Sequence, residues 1–386
     1  MTETRDVIIV GGGIIGAATA MYLLQMRPGL KVLLLEQQEV PGNGATAKAT
    51  GGLRCQFSTR VSIEMSVYGI NAVYRQFEAL TGQAIGFRQT GYLFLTADPA
   101  RLQALQANVS LQQSLGVPAQ VVTQAEAQVL CPPLRVDDLV GGTFCAWDGT
   151  ANPSDALQGF LRRARELGLE LRCECPVTGL LRQGERVLGV RTPQGDLQAG
   201  AVVNATGAWA PAAGRWAGLE LPVQPYRRQV FVGEPLPALP PNLPLTVDLD
   251  TGWYLHQEVR GSFLTGGTDR DSHPGLDEGV NWDDMVRVLE AGVRRLPLMS
   301  EAQIKRAYAG VRALTPDDHP ILGPAPGAAG LWLSVGWGGH GFMHAPAAGR
   351  AMAELILDGA SHSLDISALG LERFREGRQH RETTAF

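Results

Sequence analysis

Residues 7–16 read VIIVGGGIIG, a run of apolar, mostly β-branched residues followed by a glycine-rich turn. The run predicts a buried strand over residues 6–10, and Gly11, Gly13 and Gly16 have the G-x-G-x-x-G spacing of a dinucleotide-binding turn. Glycine permits the tight turn, lets the main chain approach a pyrophosphate, and lets the next helix pack on the strand. We therefore predict an α/β nucleotide-binding unit whose first helix starts at Ile14.

Glu36 restricts the identity of the dinucleotide. A predicted strand over residues 31–36 ends at this residue, twenty positions after Gly16. A carboxylate placed there accepts hydrogen bonds from a ribose 2′-hydroxyl and repels a 2′-phosphate. The alternative is a glycine-rich turn with an unrelated surface glutamate. It requires the preceding strand, the glycine spacing and the position of Glu36 to coincide by chance. The motif therefore disfavours NADP and leaves NAD and FAD open.

A second G-x-G-x-x-G match covers residues 336–341, between a predicted strand (331–335) and a predicted helix (345–357). No strand follows that helix, so no second βαβ unit closes, and Asp358 lies at a helix end instead of a strand end. We interpret this segment as a glycine turn that approaches the first cofactor.

The charge balance favours a small-molecule partner. A formal net charge of -5 creates no field that would recruit nucleic acid. Of the 33 basic residues only Lys31, Lys48 and Lys305 are lysines, so arginine is the expected carboxylate-binding group.

The cysteines and the apolar N-terminal run indicate the cellular compartment of the protein. The five cysteines are odd in number, and Cys173 and Cys175 have no neighbouring histidine, which favours buried thiols in a reducing compartment over disulfides or a metal site. Residues 7–24 carry no charge and are long enough to span a bilayer, but glycines interrupt the run and Glu3 and Asp6 precede it. We predict a cytoplasmic protein without a targeting segment or a membrane span.

Beyond residue 36 the elements fall into two groups. An amphipathic helix through Met65 and Leu80 is expected to end at Gly82, and the strand-rich segments 87–147 and 223–268 resemble parts of one further domain. A helix over residues 153–167, with Asn152 as its N-cap, and a strand ending at Asn204 return to the nucleotide-binding domain. The charged residues 381–386 are expected to fray.

Two further motifs carry a family resemblance. Residues 204–209 read NATGAW and residues 315–324 read TPDDHPILGP, and with the glycine turn they resemble the FAD-dependent D-amino-acid oxidase superfamily over nearly the whole chain. The segments GLRCQF (52–57) and GGHGFM (338–343) look most like sarcosine oxidase β subunits and dye-linked L-proline dehydrogenase β subunits, with glycine oxidase a more distant relative. This resemblance selects FAD over NAD.

The resemblance also implies a two-domain α/β architecture. We expect a discontinuous, glutathione-reductase-like FAD-binding domain from residues 1–86, 148–222 and 308–386. An antiparallel-sheet substrate domain would be formed by residues 87–147 and 223–307, with the flavin ring at the junction.

The cofactor contacts implied by the resemblance extend along the chain. The positions expected to bind FAD are Gly11, Gly13, Ile14, Ile15, Gly16, Glu36, Gln37, Ala45, Thr46, Ala47, Gly51, Gly52, Val177, Ala205, Gly207, Gly310, Gly339, His340, Gly341, Phe342 and Met343. The last five would face the pyrimidine ring, where a helix N-terminus stabilises the negative charge of a reduced flavin.

Three departures from the sarcosine oxidase pattern are informative. Residues 308–311 contain no cysteine for covalent attachment, so we expect noncovalent FAD. Leu264 takes the place of an oxygen-activating lysine, which favours an electron acceptor other than O2 but leaves oxidase and dehydrogenase open. Met343 stands where a substrate-binding lysine would follow Phe342, so another group must bind a carboxylate.

Three residues are the catalytic candidates. Arg312 matches the arginine that pairs with the substrate carboxylate in glycine and D-amino-acid oxidases, with an interface salt bridge as its alternative role. Tyr254 matches a pocket tyrosine, although an aromatic residue in a sheet is often only packing. Arg54 matches an arginine near flavin and substrate, with a surface arginine as the alternative. Histidines 256, 340 and 344 could line the pocket, but none is assigned as a general base.

These residues predict an FAD-dependent oxidoreductase that removes a hydride from a small amine or amino acid and leaves an imine. Two alternatives stay open: a flavin-binding assembly or electron-transfer subunit without its own turnover, and an NAD-dependent dehydrogenase. A homo- or hetero-oligomer is possible from the sequence.

Overall fold

The computed structural model describes residues 3–268 and 272–384. Its helices are α1 (Ile14–Met26), α2 (Arg60–Val67), α3 (Phe77–Thr81), α4 (Pro99–Ser114), α5 (Gln124–Leu130), α6 (Pro153–Glu166), α7 (Ala210–Arg215), α8 (Trp282–Arg295) and α9 (Gly341–Asp358). Its strands are β1 (Glu3–Val10), β2 (Val32–Leu35), β3 (Gly52–Leu53), β4 (Tyr92–Thr96), β5 (Ala119–Val122), β6 (Gly141–Cys145), β7 (Gly149–Thr150), β8 (Glu170–Arg172), β9 (Gly179–Gln183), β10 (Arg186–Thr192), β11 (Gly195–Asn204), β12 (Gln224–Gly233), β13 (Leu245–Asp248), β14 (Tyr254–Gln257), β15 (Phe263–Gly266), β16 (Ile304–Leu314), β17 (Ile321–Pro324) and β18 (Leu331–Val335).

The predicted glycine-rich βαβ unit forms the centre of the first sheet, whose order is β17-β18-β11-β1-β2-β8. Strands β18, β11, β1, β2 and β8 run parallel, while β9 and β10 extend the sheet as an antiparallel hairpin beside β11. Because parallel strands are covered on both faces, β2 is buried at every position. The predicted α/β fold class is confirmed.

The second sheet has the order β16-β12-β15-β14-β13-β4-β6-β5. Its neighbours pair antiparallel, as expected, except that β13 runs parallel to β4. Strand β16 runs across the boundary proposed at residue 308, so the second sheet continues into a segment assigned from sequence to the other domain. A short third sheet pairs β3 with β7.

The helix expected through Met65 and Leu80 is not one regular helix. After α2 the chain makes a π-helical turn over Tyr68–Val73 and a 3-10 turn over Tyr74–Gln76 before α3. Gly69 in the π-helical turn faces the main chain of α9, and a Cβ there would stand 2.5 Å from the Met343 carbonyl oxygen. The break therefore brings this segment against the start of α9. The predicted end at Gly82 is confirmed, with left-handed backbone at φ 72°.

Helix α9 begins at Gly341, four residues before the predicted start at residue 345, and it contains Pro346. Proline has no N–H to donate to the carbonyl four residues earlier. The Phe342 carbonyl instead accepts a hydrogen bond from the Tyr74 hydroxyl. A tertiary contact thus supplies the hydrogen bond that Pro346 cannot donate to the Phe342 carbonyl, and the helix extends through the proline.

The expectation that residues 381–386 fray is wrong for the part that the structure describes. Glu382 and Thr384 are 1% and 4% exposed. Their burial follows from hydrogen bonds that the Glu382 carboxylate accepts from Ser58 and Thr59. Residues 385–386 lie outside the described residues.

Within residues 3–268 and 272–384, no helix has both the length and the hydropathy needed to cross a bilayer.

Helices α1 and α9 pack closely against each other where Gly349 meets Ala18. Gly349 is buried in this contact, and a Cβ there would stand 2.6 Å from the main-chain carbon of Ala18. Since a main-chain atom cannot move aside without shifting α1, glycine is required at this crossing.

We expect Gly349→Ala to lower the free energy of unfolding by about 2 kcal/mol, because overpacking against main chain outweighs the advantage of about 1 kcal/mol that alanine has in a helix. Denaturant unfolding at saturating FAD measures the change. Gly275→Ala is the control, since nothing lies within 4 Å of its Cβ position. Equal stability of Gly349→Ala and Gly275→Ala would contradict the close α1–α9 contact.

Candidate cofactor and substrate site

A cavity of about 360 Å³ lies against both large sheets. On the first sheet it meets the carboxyl ends of the parallel strands, at Val10, Leu35 and Ala205. On the second sheet it meets β12 and β14, at Val230 and Tyr254. Ligands of open α/β sheets bind at the carboxyl ends of strands, so this cavity is where the glycine turn predicts a dinucleotide.

The glycine turn has the geometry that its sequence predicts. Gly11 has φ 115°, and a Cβ there would overlap the Ala205 carbonyl oxygen. A Cβ at Gly16 would overlap the Gly11 carbonyl oxygen, so this glycine serves helix packing and does not line the cavity. Gly13 precedes α1 in extended backbone, and the first turn of α1 contains no acidic residue. Gly13, Ile14 and Ile15 line the cavity, so the positive end of the α1 dipole faces it, as a pyrophosphate requires.

The Glu36 carboxylate is held at the end of β2 by main-chain donors. One carboxylate oxygen accepts from the Gly12 N–H at 2.9 Å, and the other accepts from the Gln38 N–H at 2.9 Å. Glu36 and Gln37 line the cavity with Val177, which brings together the residues predicted for the adenosine end. The carboxylate is thus oriented before any ligand binds.

The loop after β2 closes over the same cavity. Thr46 accepts a hydrogen bond from the Ile14 N–H at 3.2 Å, which ties the loop to the start of α1. Ala45, Gly51 and Gly52 line the cavity, whereas Ala47 does not. A Cβ at Gly52 would overlap the Tyr92 hydroxyl, so glycine is needed for the loop to pass this tyrosine.

The structure brings nearly all of the predicted cofactor residues to one cavity wall; Gly16 and Ala47 are the exceptions. The residues on the wall are Gly11, Gly13, Ile14, Ile15, Glu36, Gln37, Ala45, Thr46, Gly51, Gly52, Val177, Ala205, Gly207, Gly310, Gly339, His340, Gly341, Phe342 and Met343. A flavin dinucleotide needs a carboxylate that accepts from the ribose, a helix N-terminus that faces the pyrophosphate, and glycines that let the main chain come close. The site therefore fits FAD.

Arg312 lies on β16 and reaches the cavity wall beside the second glycine turn. A Cβ at Gly339 would stand 3.0 Å from the Arg312 guanidinium carbon, so glycine at this position leaves room for the guanidinium. Burial lowers the pKa of Arg312, and the negative charge of Asp318 opposes that shift. A half-buried guanidinium that lines a cavity is suited to an anionic ligand.

Tyr254 and Tyr92 lie on the same wall, and both are more than nine-tenths buried. Burial raises the pKa of each phenol above its ordinary value of 10, so both hydroxyls stay protonated and can donate. Tyr92 was not predicted from sequence, because an aromatic residue in a strand carries no signal that separates a ligand contact from packing.

The alternative role for Arg54, a surface arginine, is wrong. Arg54 is 2% exposed and lines the cavity. Its guanidinium donates to the main-chain oxygens of Gln56 at 2.5 Å and Thr384 at 3.0 Å, and it lies 3.3 Å from His340 Nε2. The guanidinium carbon also stands 4.1 Å from the centre of the Phe57 ring. Arg54 and Arg312 together make this part of the wall positive.

Of the three histidines considered, only His340 lines the cavity. Burial lowers the pKa of His256 to about 4 and of His344 to about 3, and it lowers the pKa of His340 well below its ordinary value. The His344 imidazole meets the Ser66 hydroxyl at 2.9 Å, away from the cavity. These imidazoles are therefore neutral near pH 7.

Lys48 and Glu278 are further cavity residues that the sequence did not identify. Lys48, from the loop after β2, forms an ion pair with Glu278, which precedes α8. The scarcity of lysine and its place in a glycine-rich loop could have drawn attention to Lys48, whereas Glu278 carries no sequence signal. Among residues 3–268 and 272–384, no group of histidine, cysteine and acidic residues could hold a metal ion.

Comparison with known proteins gives one family. The profile of the DAO family, described as FAD dependent oxidoreductase, matches residues 6–355. Mitochondrial sarcosine dehydrogenase from Homo sapiens is 29% identical over an alignment of 390 positions that covers 97% of this chain and 42% of that protein. Sarcosine oxidase subunit beta from Arthrobacter sp is 28% identical over an alignment of 380 positions that covers 97% of this chain and 92% of that protein.

Two solved structures are similar over almost their whole length. L-proline dehydrogenase from P. horikoshii has a TM-score of 0.91 and 29% identity, covering 99% of this chain and 100% of that one. Glycine oxidase from Geobacillus kaustophilus has a TM-score of 0.85 and 26% identity, covering 96% and 99%. The chain spans about two fifths of the length of the human dehydrogenase. With the family profile matching most of its length, the chain belongs to the DAO family of FAD-dependent oxidoreductases, and its cofactor is FAD.

Proposed function

We propose that this protein oxidises the C–N bond of a small amino acid or secondary amine of the sarcosine, proline or glycine type. The observation that carries the proposal is the half-buried Arg312 guanidinium, which lines the FAD cavity together with Tyr254 and Tyr92. Bound FAD supplies a hydride acceptor at flavin N5, and the imine product then hydrolyses after release.

Arg312 is the proposed carboxylate-binding residue. Its planar guanidinium can donate two parallel hydrogen bonds to one carboxylate, which fixes the orientation of the substrate as well as its position. Gly339 leaves the space in which the guanidinium lies. Holding the α carbon in one orientation is the main contribution that a protein makes to a hydride transfer.

Tyr254 and Tyr92 are the proposed second contacts. Their hydroxyls keep their protons because burial raises both pKa values, so each can donate to a carboxylate oxygen or cover the substrate. Both side chains are almost wholly buried, so their rings and hydroxyls are held in place on the cavity wall.

The glycine turn, Glu36 and α9 are proposed to hold the cofactor. Glu36 would accept from the adenosine ribose, the N-terminus of α1 would face the pyrophosphate, and residues 339–343 would face the flavin. FAD is proposed to be noncovalent: Gly310 lies on the wall at the segment where sarcosine oxidases carry their attachment cysteine. Cys175, on the wall beside Val177, donates to Gln194 at 3.6 Å.

The names of similar proteins support this substrate class. Sarcosine dehydrogenase, sarcosine oxidase subunit beta and L-proline dehydrogenase are all named for small secondary amines that carry a carboxylate. In this chain Met343 stands where sarcosine oxidases have a substrate-binding lysine. We therefore propose that Arg312 binds the carboxylate instead.

Anaerobic mixing tests the proposed function. The FAD-loaded protein is mixed with sarcosine, L-proline, glycine and D-amino acids, and flavin absorbance is followed. Bleaching by at least one of them is expected, and the fastest one identifies the substrate. Absorbance that stays unchanged with every amine would favour a flavin-binding assembly or electron-transfer subunit instead.

We expect Arg312→Met to weaken reduction by the amino acid about 100-fold while FAD stays bound, because a charge-assisted carboxylate contact is lost. Glu36→Gln should do the reverse, weakening FAD binding about tenfold and leaving reduction of the loaded protein unchanged. Arg306→Met is the matched control, since Arg306 is exposed on the same strand. Similar loss of FAD from the Arg312 and Glu36 variants would contradict this division of roles.

Three titratable side chains that line the cavity, His340, Tyr92 and Tyr254, bear on how the rate of flavin reduction depends on pH. His340 has a depressed pKa, and Tyr92 and Tyr254 have raised ones, so none of the three changes charge between pH 6 and 9. The rate at limiting substrate should rise about tenfold per pH unit below the pKa of the substrate amine. Burial raises the pKa of the Asp148 carboxyl, which bonds Gln56, to about 7, so this group contributes a second ionisation in the same range. Stopped-flow measurements with wild type and His340→Asn should give the same apparent pKa. An ionisation that disappears in His340→Asn would show that His340 acts as a base.

A further inference from the structure

A segment near the end of the chain, residues 382–384, lies against the wall of the cavity, and we refer to it as the strap. One oxygen of the Glu382 carboxylate accepts from the Ser58 N–H at 2.9 Å and from its hydroxyl at 2.6 Å, and the other accepts from the Thr59 hydroxyl at 3.1 Å. The Glu382 N–H donates to the Asp317 carbonyl oxygen at 3.0 Å. The strap is thus fixed on two sides.

Asp317 is itself held by a buried ion pair. The Arg373 guanidinium donates to both Asp317 carboxylate oxygens, at 2.8 and 3.0 Å, and the two side chains are 1% and 2% exposed. Burial alone would raise the pKa of Asp317, but the hydrogen bond and charge of Arg373 outweigh it and the pKa is lowered. The strap therefore rests on an ordered support.

The strap ends on Arg54. The Arg54 guanidinium donates to the Thr384 carbonyl oxygen at 3.0 Å and to the Thr384 hydroxyl oxygen at 3.3 Å. That hydroxyl in turn donates to the Glu382 carboxylate at 2.6 Å. A chain of hydrogen bonds therefore runs from Ser58 through Glu382 and Thr384 to a guanidinium on the cavity wall.

We infer that the strap is a positioning element for the candidate active site, and that Thr384 and Glu382 fix the place of the Arg54 charge on the cavity wall. The inference rests on the proposed function, in which an anionic substrate group enters this positive region. An arginine side chain has many rotamers, and a buried guanidinium takes the one in which its donors meet acceptors. Thr384 supplies two of those acceptors from the far end of the chain.

The family comparison does not assign this role. The family profile matches residues 6–355, so the strap and Arg373 lie beyond the matched segment. Arg54 lies within the matched segment, but the position of its guanidinium depends on Thr384, which lies outside that segment.

The test measures binding of acetate, a minimal carboxylate, to the FAD-loaded protein through the shift that it causes in the visible flavin spectrum. Thr384→Val keeps the side-chain shape and removes the hydroxyl, so the dissociation constant of acetate should rise about fivefold. Thr384→Ser keeps the hydroxyl and should bind as wild type does. Thr383→Val is the matched control, because the neighbouring side chain is exposed and the Thr383 main chain keeps its bond to Ser58.

A double-variant cycle separates positioning from a general loss of structure. If the strap acts through Arg54, Thr384→Val should weaken acetate binding in the wild-type background and have no further effect in Arg54→Lys. Equal weakening in both backgrounds, or acetate binding by Thr384→Val as tight as wild type, would overturn the inference while leaving the proposed function intact. If acetate does not perturb the wild-type spectrum, the proposed carboxylate site is wrong and the inference fails with it.

Discussion

The close approach of Gly11 to Ala205 is the constraint on which the site depends. The main chains at the ends of β1 and β11 come so near each other that residue 11 has no room for a Cβ. The turn can then bend with φ 115° and direct the N-terminus of α1 into the space beyond the strand ends. The position of Glu36 follows, since its carboxylate is fixed by the Gly12 N–H of the same turn.

The cavity joins two chemically different regions. At the first sheet, main-chain donors, glycine surfaces and one oriented carboxylate fit a dinucleotide. At the second sheet, Arg312 and two protonated tyrosines form a region that favours a small anion. Strand β16 links the two, because it is paired in the second sheet and brings both Gly310 and Arg312 to the cavity. In the proposed mechanism the first region retains FAD and the second orients the amine.

Features set by neighbouring residues in the chain could be predicted from sequence. The strand-turn-helix at residues 6–27, the Asn152 cap and the left-handed Gly82 follow from local backbone chemistry, and the structure has all three. Features set by distant contacts could not be predicted. The start of α9 depends on the Tyr74 hydroxyl, and the order of residues 382–384 depends on Ser58 and Thr59. Arg54 could be placed near the flavin by resemblance, yet its burial depends on a segment more than 300 residues away.

The central claim is that Arg312 orients an amino-acid carboxylate within the FAD cavity. A crystal structure of the dithionite-reduced protein with FAD and the amine that reduces it, grown without oxygen, tests this most directly. The account predicts the carboxylate on the Arg312 guanidinium and within reach of Tyr254 or Tyr92, with the ribose of FAD on Glu36. A carboxylate bound elsewhere, with Arg312 paired only to protein groups, would contradict it.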